Sequence, residues 1–475
     1  MLTGTPARYA YNLALASFYG MLVMAAYSVA GAITAARGGS YRLAGSLAVL
    51  FVGFASNLVA PLAALLWLLP RRMATDIATV IASPTALDAS RLLSRDAFSY
   101  WTPSRVITGT INEFPLFAWL NGDLHAHMLS TPFLLLLTGV AYTYYRTPSD
   151  AVRRRRLLLF GVIPPIAGLI AVINTWSFPT TIGVTWLAMV FAPASPLDVL
   201  PEPLHRRVSD EVTWKTKLRR IGVATGLAVL VAFIGLLWTA PFFLGPATGT
   251  GNRTIGLFPD QSSLIGLLLV HGWFLLVFGL YLGYRIWKTT ADRLLLGGAV
   301  VIPVLVGIVG QIPAVILVVP LLVVAGLLLR KEDTVEFESV LFVAGAGLVL
   351  LVEFIYLEAQ AAPGRMNTVF KIYMQVWVLW GVGAAVAVER LLPGRPSRWS
   401  TGEWRQPAFA VIGIVLLLTV SLYGMIALGN HSDGTTDPTL DATRWAQEQH
   451  PDEWEAIQFL ASKPGQPNIV TAPAC

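Results

Sequence analysis

The sequence predicts an all-α polytopic membrane protein of about twelve transmembrane helices, and three observations carry that expectation. Of 475 residues, 55% are hydrophobic and only 13% charged, whereas an ordinary soluble domain is about 25% charged. Apolar runs close to the roughly 20 residues that cross a hydrocarbon core recur along the chain to about residue 429. Lysine and arginine gather in alternate connections: Arg37 and Arg42; Arg146 with "RRRR" at 153–156; the stretch 205–220; Arg285, Lys288 and Arg293; Arg330 and Lys331; Arg390 to Arg405. By the positive-inside rule these loops are cytoplasmic, so the net charge of +6 reports topology and nucleic-acid binding is excluded from the expected functions.

Taken in order, the expected spans lie near 10–36, 43–70, 126–145, 157–174, 179–195, 221–243, 263–287, 294–310, 312–329, 337–357, 367–389 and 407–429. The first is too long for the apolar region of a signal peptide and has only Arg8 ahead of it, so it reads as a true span. "NTWSFPT" (174–180) and "GQIP" (310–313) mark tight turns or broken helices. Residues 71–125 mix helical pieces with turns and read as a structured external loop along the membrane interface. Residues 1–429 thus form the transmembrane domain. The tail, 430–475, has helical periodicity at Trp454, Ile457 and Leu460, then a strand at "NIVTA". It reads as the start of an incomplete soluble α/β domain outside the cell. The single cysteine, Cys475, rules out an internal disulfide.

"NEFPLFAWLNGDLHAH" (112–127) sets Glu113, Asp123, His125 and His127 at the mouth of a span, in a chain with only 6 histidines. Asp123, His125 and His127 alternate, so an extended backbone would aim all three one way. That is a candidate site for a divalent metal such as zinc, manganese or iron, with Glu113 completing the set. It is equally a candidate acid–base site. The plainer alternative has Asp123 capping the helix and the histidines resting at the interface. "RMNTVFKIYMQVW" (365–377) supplies Arg365, Asn367, Lys371 and Gln375, the last three on one helical face. Lys371 then faces protein, a polar cavity or an anionic ligand such as phosphate, or snorkels to the interface. Glu353 and Glu358 are candidate ion-pair partners for Arg365 or Lys371. Asn174, Trp176, Asn252 and Arg253 add polar groups in two more external turns, Arg253 as a candidate phosphate ligand.

The stretches "FSYWTPSRVI" (98–107, with Arg105), "INEFPLFAWLNGDLHAH" (111–127), "NTWSFPT" (174–180) and "RMNTVFKIYMQVW" (365–377) resemble the Chlor-Arch-YYY family, polytopic membrane proteins of unknown function from archaea and some bacteria. That family in turn resembles the GT-C glycosyltransferases. The resemblance implies a cell-membrane enzyme transferring sugar from a polyprenyl-phosphate donor at the external face. It implies catalytic or metal-binding roles for Glu113, Asp123, His125 and His127, and donor-phosphate binding for Arg365 and Lys371. Arg105, Asn174, Trp176, Arg253, Asn367 and Gln375 are further candidate substrate-binding residues in the external turns and motifs. Ser177 departs from the family's Asn-Thr-Trp-Asp pattern. The family's tyrosine signature would precede "LTGTPARYAYNLALA", so the chain is expected to be clipped at both ends, and inactive if the missing loop holds the catalytic carboxylate. The alternatives from other classes are a transporter with ionisable groups along a midplane path, and a metal-dependent membrane hydrolase built on Asp123, His125 and His127.

Overall fold

Residues 4–202, 213–245, 254–289, 293–331, 336–358, 364–392, 405–432 and 439–465 are described by the computed structural model. Helix forms along each expected apolar run. Among the described residues, eight helices are long and apolar enough to cross a membrane, or nine if one bent pair crosses as a single span. Those meeting the length on their own include α1 (Ala7–Ala35). The expected run 43–70 breaks into α2 (Tyr41–Val49), which continues as a π-helical turn at Leu50–Phe54, and α3 (Val59–Leu66), bent 77° apart.

Neighbours satisfy the backbone freed at this break, as a membrane interior requires. Ser56 N–H donates to Val420 O at 2.8 Å and Leu58 N–H to Leu269 O at 2.9 Å. The Asn57 amide donates to Pro103 O at 2.6 Å while its oxygen accepts from Val59 N–H at 3.2 Å. The break therefore ties the bundle to the 71–125 connection. That connection holds α4 (Arg71–Ala82), α5 (Ala89–Leu93) and α6 (Pro115–Leu120). Helix α4 buries Ala74 and Ala78 and exposes Met73, Ile77 and Val80, the arrangement of a helix lying in an interface.

Then follow α7 (Ala126–Arg146), α8 (Val152–Arg156) running through a π-helical segment into α9 (Ile163–Ile173), and α10 (Phe178–Phe191). At 14 residues α10 is shorter than a full span, because hydropathy measures apolar content and takes no account of where Pro193 and Pro196 stop the helix. Next come α11 (Thr213–Phe243), α12 (Leu264–Thr289), α13 (Arg293–Val309) and α14 (Pro313–Lys331). The apolar parts of α13 and α14, Leu296–Val309 and Pro313–Leu328, are likewise short. Helices α15 (Phe337–Phe354), α16 (Met366–Leu391) and α17 (Arg405–Ser432) complete the bundle.

Helix α16 is the axis. Its most apolar window is 89% buried, and it packs against α1, α2, α7, α12 and α15. Its tryptophans find carbonyls: Trp377 Nε1–H donates to Phe51 O and Trp380 Nε1–H to Phe342 O, each at 3.0 Å. Phe51 is one of the residues in the π-helical turn, so that turn supplies an acceptor to the central helix. Glycine permits a close approach of two helix backbones: a Cβ on Gly168 of α9 would stand 2.6 Å from Gly235 O of α11.

The only sheet among the described residues pairs β1 (Thr254–Leu257) antiparallel with β2 (Ile355–Glu358), Thr254 opposite Glu358. In the tail, α18 (Arg444–Gln449) and α19 (Pro451–Ala461) bury no residue. The stretch ahead of them is fastened to the start of α1: Ala442 N–H donates to Arg8 O at 2.9 Å, and Arg8 pairs with Asp441 at 3.6 Å. The expected strand at 468–472 and Arg253 both lie outside the described residues.

Candidate functional site

The chain enters α7 through His125, whose extended backbone (φ −80°, ψ 143°) makes it the N-cap. Asp123 does not cap the helix. The His125 Nδ1 accepts from the His127 backbone N–H at 3.4 Å, and the His127 ring Nδ1 lies 2.7 Å from the same atom. Because His127 is already helical, the alternation of Asp123, His125 and His127 is lost after the first histidine. Asp123 ends up exposed, His125 half-buried and His127 buried. Among the described residues no three histidine, aspartate or glutamate groups are placed to hold a metal ion.

Glu113 reaches the other side of His127. Its Oε2 lies 3.8 Å from His127 Nε2, a buried atom with no hydrogen-bond partner. The neighbouring Asn112 fixes this backbone: its oxygen accepts from Val106 and Ile107 N–H at 3.0 and 2.8 Å, and its own N–H donates to Ser104 O. Burial pushes the Glu113 carboxyl up to about 7, opposed by the Arg105 charge and assisted by that of Asp123. Burial lowers the pKa of His125, with Lys371 adding to the fall and Asp123 resisting it. Arg105 donates to Ser104 O at 3.1 Å and Ser104 Oγ at 2.8 Å, and its guanidinium stands over Trp101.

Helix α16 forms the opposite wall. Phe370 packs on both imidazoles, with ring centres 5.7 Å from His125 and 4.2 Å from His127. Lys371 holds its ammonium 5.1 Å from the Trp176 ring, and Gln375 donates to Trp176 O at 3.4 Å and Lys371 O at 3.0 Å. The turn between α9 and α10 closes the base: Asn174 donates to Ser177 Oγ at 2.8 Å, Ser177 bonds Ser130 Oγ at 3.0 Å, and Ser130 donates to His127 O at 2.9 Å. Three of the sequence motifs therefore meet around His127.

Two expected residues fall elsewhere. Arg365, expected to bind phosphate, is buried in an ion pair with Glu353 at 2.9 Å and donates to Ser262 Oγ at 3.0 Å. Glu353 also accepts from Ser262 N–H and Oγ–H at 2.9 and 2.6 Å, so this cluster pins the start of α16. Asn367 is half-buried at the first turn of α16, away from the imidazoles' contacts. Ser130 and Phe370 belong to the site and went unnoticed in the sequence. Phe370 stands beside Lys371, and the signal was its position one turn after Asn367.

Residues 1–380 match the family model for an uncharacterized membrane protein, DUF2298. The chain belongs to that family. No curated protein and no solved structure matches it. The family span takes in all three motifs that meet at His127 and ends inside α16, so the described part of the site is family territory in full, while α17 and the tail fall beyond it.

Proposed function

We propose that this protein is a membrane glycosyltransferase that moves a sugar from a polyprenyl-phosphate carrier at the external membrane face, opposite the arginine-rich loops. The observation that carries the reading is the Glu113 carboxyl, lifted to about 7 beside a buried imidazole at the mouth of a span. A base that titrates near neutrality is what proton abstraction from an acceptor hydroxyl needs. Lys371, the cation that acts on His125 and His127, supplies the positive charge a leaving phosphate needs.

The Glu113 carboxylate takes the acceptor hydroxyl proton while the acceptor oxygen bonds the anomeric carbon. The bond from that carbon to the carrier phosphate breaks, and its electron pair stays on the phosphate oxygen beside Lys371. Glu113 passes the proton to His127 Nε2 across the 3.8 Å gap, which a side-chain rotation or one water closes. The 2.7 Å contact then relays the His127 Nδ1 proton to His125, and partly exposed His125 returns one to water. This direction requires the Nδ1–H tautomer of His127.

The test is transfer from radiolabelled polyprenyl-phosphate mannose or glucose in proteoliposomes. Glu113→Gln should lose about 100-fold or more in rate, and Lys371→Met a comparable factor. Asp123→Asn should lose less, since Asp123 is exposed. Chelation should leave transfer intact. Donor turnover unaffected by both Glu113→Gln and Lys371→Met would refute the reading; loss on chelation, restored by added metal, would instead favour a metal-dependent enzyme.

A further inference from the structure

At the other end of the bundle a groove of about 760 Å³ runs between α1 and α7, from Met24 and Leu135 to Ala36 and Arg146. The helix from Met24 to Ala36 rises about 18 Å, a little over half of the roughly 30 Å hydrocarbon core. The groove therefore has the depth of one leaflet, and its walls along that depth are mostly apolar, interrupted by Ser28 and Thr143. Exposed Arg146 and Arg154 stand at its polar end, which the positive-inside rule puts in the cytoplasmic leaflet.

A smaller cavity of about 240 Å³ adjoins it, since Ala36, Tyr142 and Arg146 line both. Glu338 and Tyr145 line this second space and are buried, yet Glu338 Oε2 and the Tyr145 hydroxyl have no hydrogen-bond partner. The other Glu338 oxygen is taken by Arg37 and by the Tyr281 hydroxyl. Arg37, Arg285 and Arg390 pair with Glu336 and Glu338 behind this cavity, while Arg146 reaches its mouth. A buried acceptor left unmade is costly, and a ligand hydroxyl would satisfy it.

We propose that groove and cavity are one binding site for an anionic glycerophospholipid with a hydroxylated headgroup. Its acyl chains follow the α1–α7 groove and its phosphate sits beside Arg146 and Arg154. Its headgroup hydroxyls enter the cavity, donating to Glu338 Oε2 and meeting the Tyr145 hydroxyl. The charge at the mouth selects an anionic lipid over a zwitterionic one, and the two unpartnered polar atoms select hydroxyls over a bare phosphate. The site lies at the opposite end from Glu113 and is independent of the reaction proposed there.

Native mass spectrometry of the detergent-solubilised protein, titrated with phosphatidylglycerol, phosphatidylcholine or phosphatidic acid, tests this. The wild type should retain phosphatidylglycerol over both others. Arg146→Glu with Arg154→Glu should weaken that retention by roughly fivefold or more for each arginine lost; both side chains are exposed, so folding is not at stake. Tyr145→Phe should narrow the preference for phosphatidylglycerol over phosphatidic acid while leaving that over phosphatidylcholine in place. Equal retention of all three lipids by the wild type would mean bulk lipid only, and undiminished retention by the double variant would equally overturn the site.

Discussion

Glu113 combines a stability cost with a chemical use. Its folded-state value of about 7 stands above the ordinary 4.5, so the folded chain keeps a proton that the unfolded chain releases. The stability this contributes is fully present below 4.5 and is lost as pH rises through about 7, by on the order of 3 kcal/mol. Glu113→Gln, neutral throughout, should flatten that slope, measured as thermal unfolding in detergent between about pH 5 and pH 8. Ser177 is fully enclosed and bonded to Ser130 and Asn174. Ser177→Ala should cost about 1 kcal/mol, and Ser177→Asp, which buries a charge with no cation among those bonds, several times as much. The sequence marked Glu113 and the histidines because acids and imidazoles are rare in such a chain. It offered the cap to Asp123, the usual residue type for an N-cap, and placed it wrongly because the cap is set by the residue at which helical backbone begins, which is His125.

Hydropathy located the helices well because apolar content is a local property. Their breaks were harder to read. Nothing in "FVGFASNLVAP" announces a 77° bend, since the bend depends on acceptors at Val420, Leu269 and Pro103 that come from far along the chain. Asn57→Ala removes one of those bonds and the Val59 cap together, and should lower stability by about 2 kcal/mol, read as a fall in the thermal midpoint. Gly168→Leu should be worse than an ordinary overpacked core residue, exceeding about 3 kcal/mol, because the obstacle is the Gly235 backbone and cannot rotate away. Arg155 was another hidden case. Within a run of four arginines that looks solvated, it alone is fully buried, donating to Ser195 O, Ala194 O and the Tyr144 hydroxyl.

The bundle as a whole has two chemically distinct ends, one holding Glu113, His127 and Lys371 and the other holding Arg37, Arg146 and Arg390. Replacing Cys475, the single cysteine, by serine leaves a background for site-specific labelling. A cysteine at Asp123 should then react with an impermeant maleimide from outside intact cells, and one at Arg154 only after permeabilisation; the reverse pattern would invert the topology. The enclosure of α16 also bears on biogenesis. Several of its neighbours, α1, α2, α7 and α12, leave the ribosome long before it, and α15 immediately before. Those earlier segments must wait, loosely gathered, with a slot along their middle that a late arrival fills. A nascent chain halted ahead of Met366 should accordingly be inserted but unsettled, and a ready target for membrane quality control.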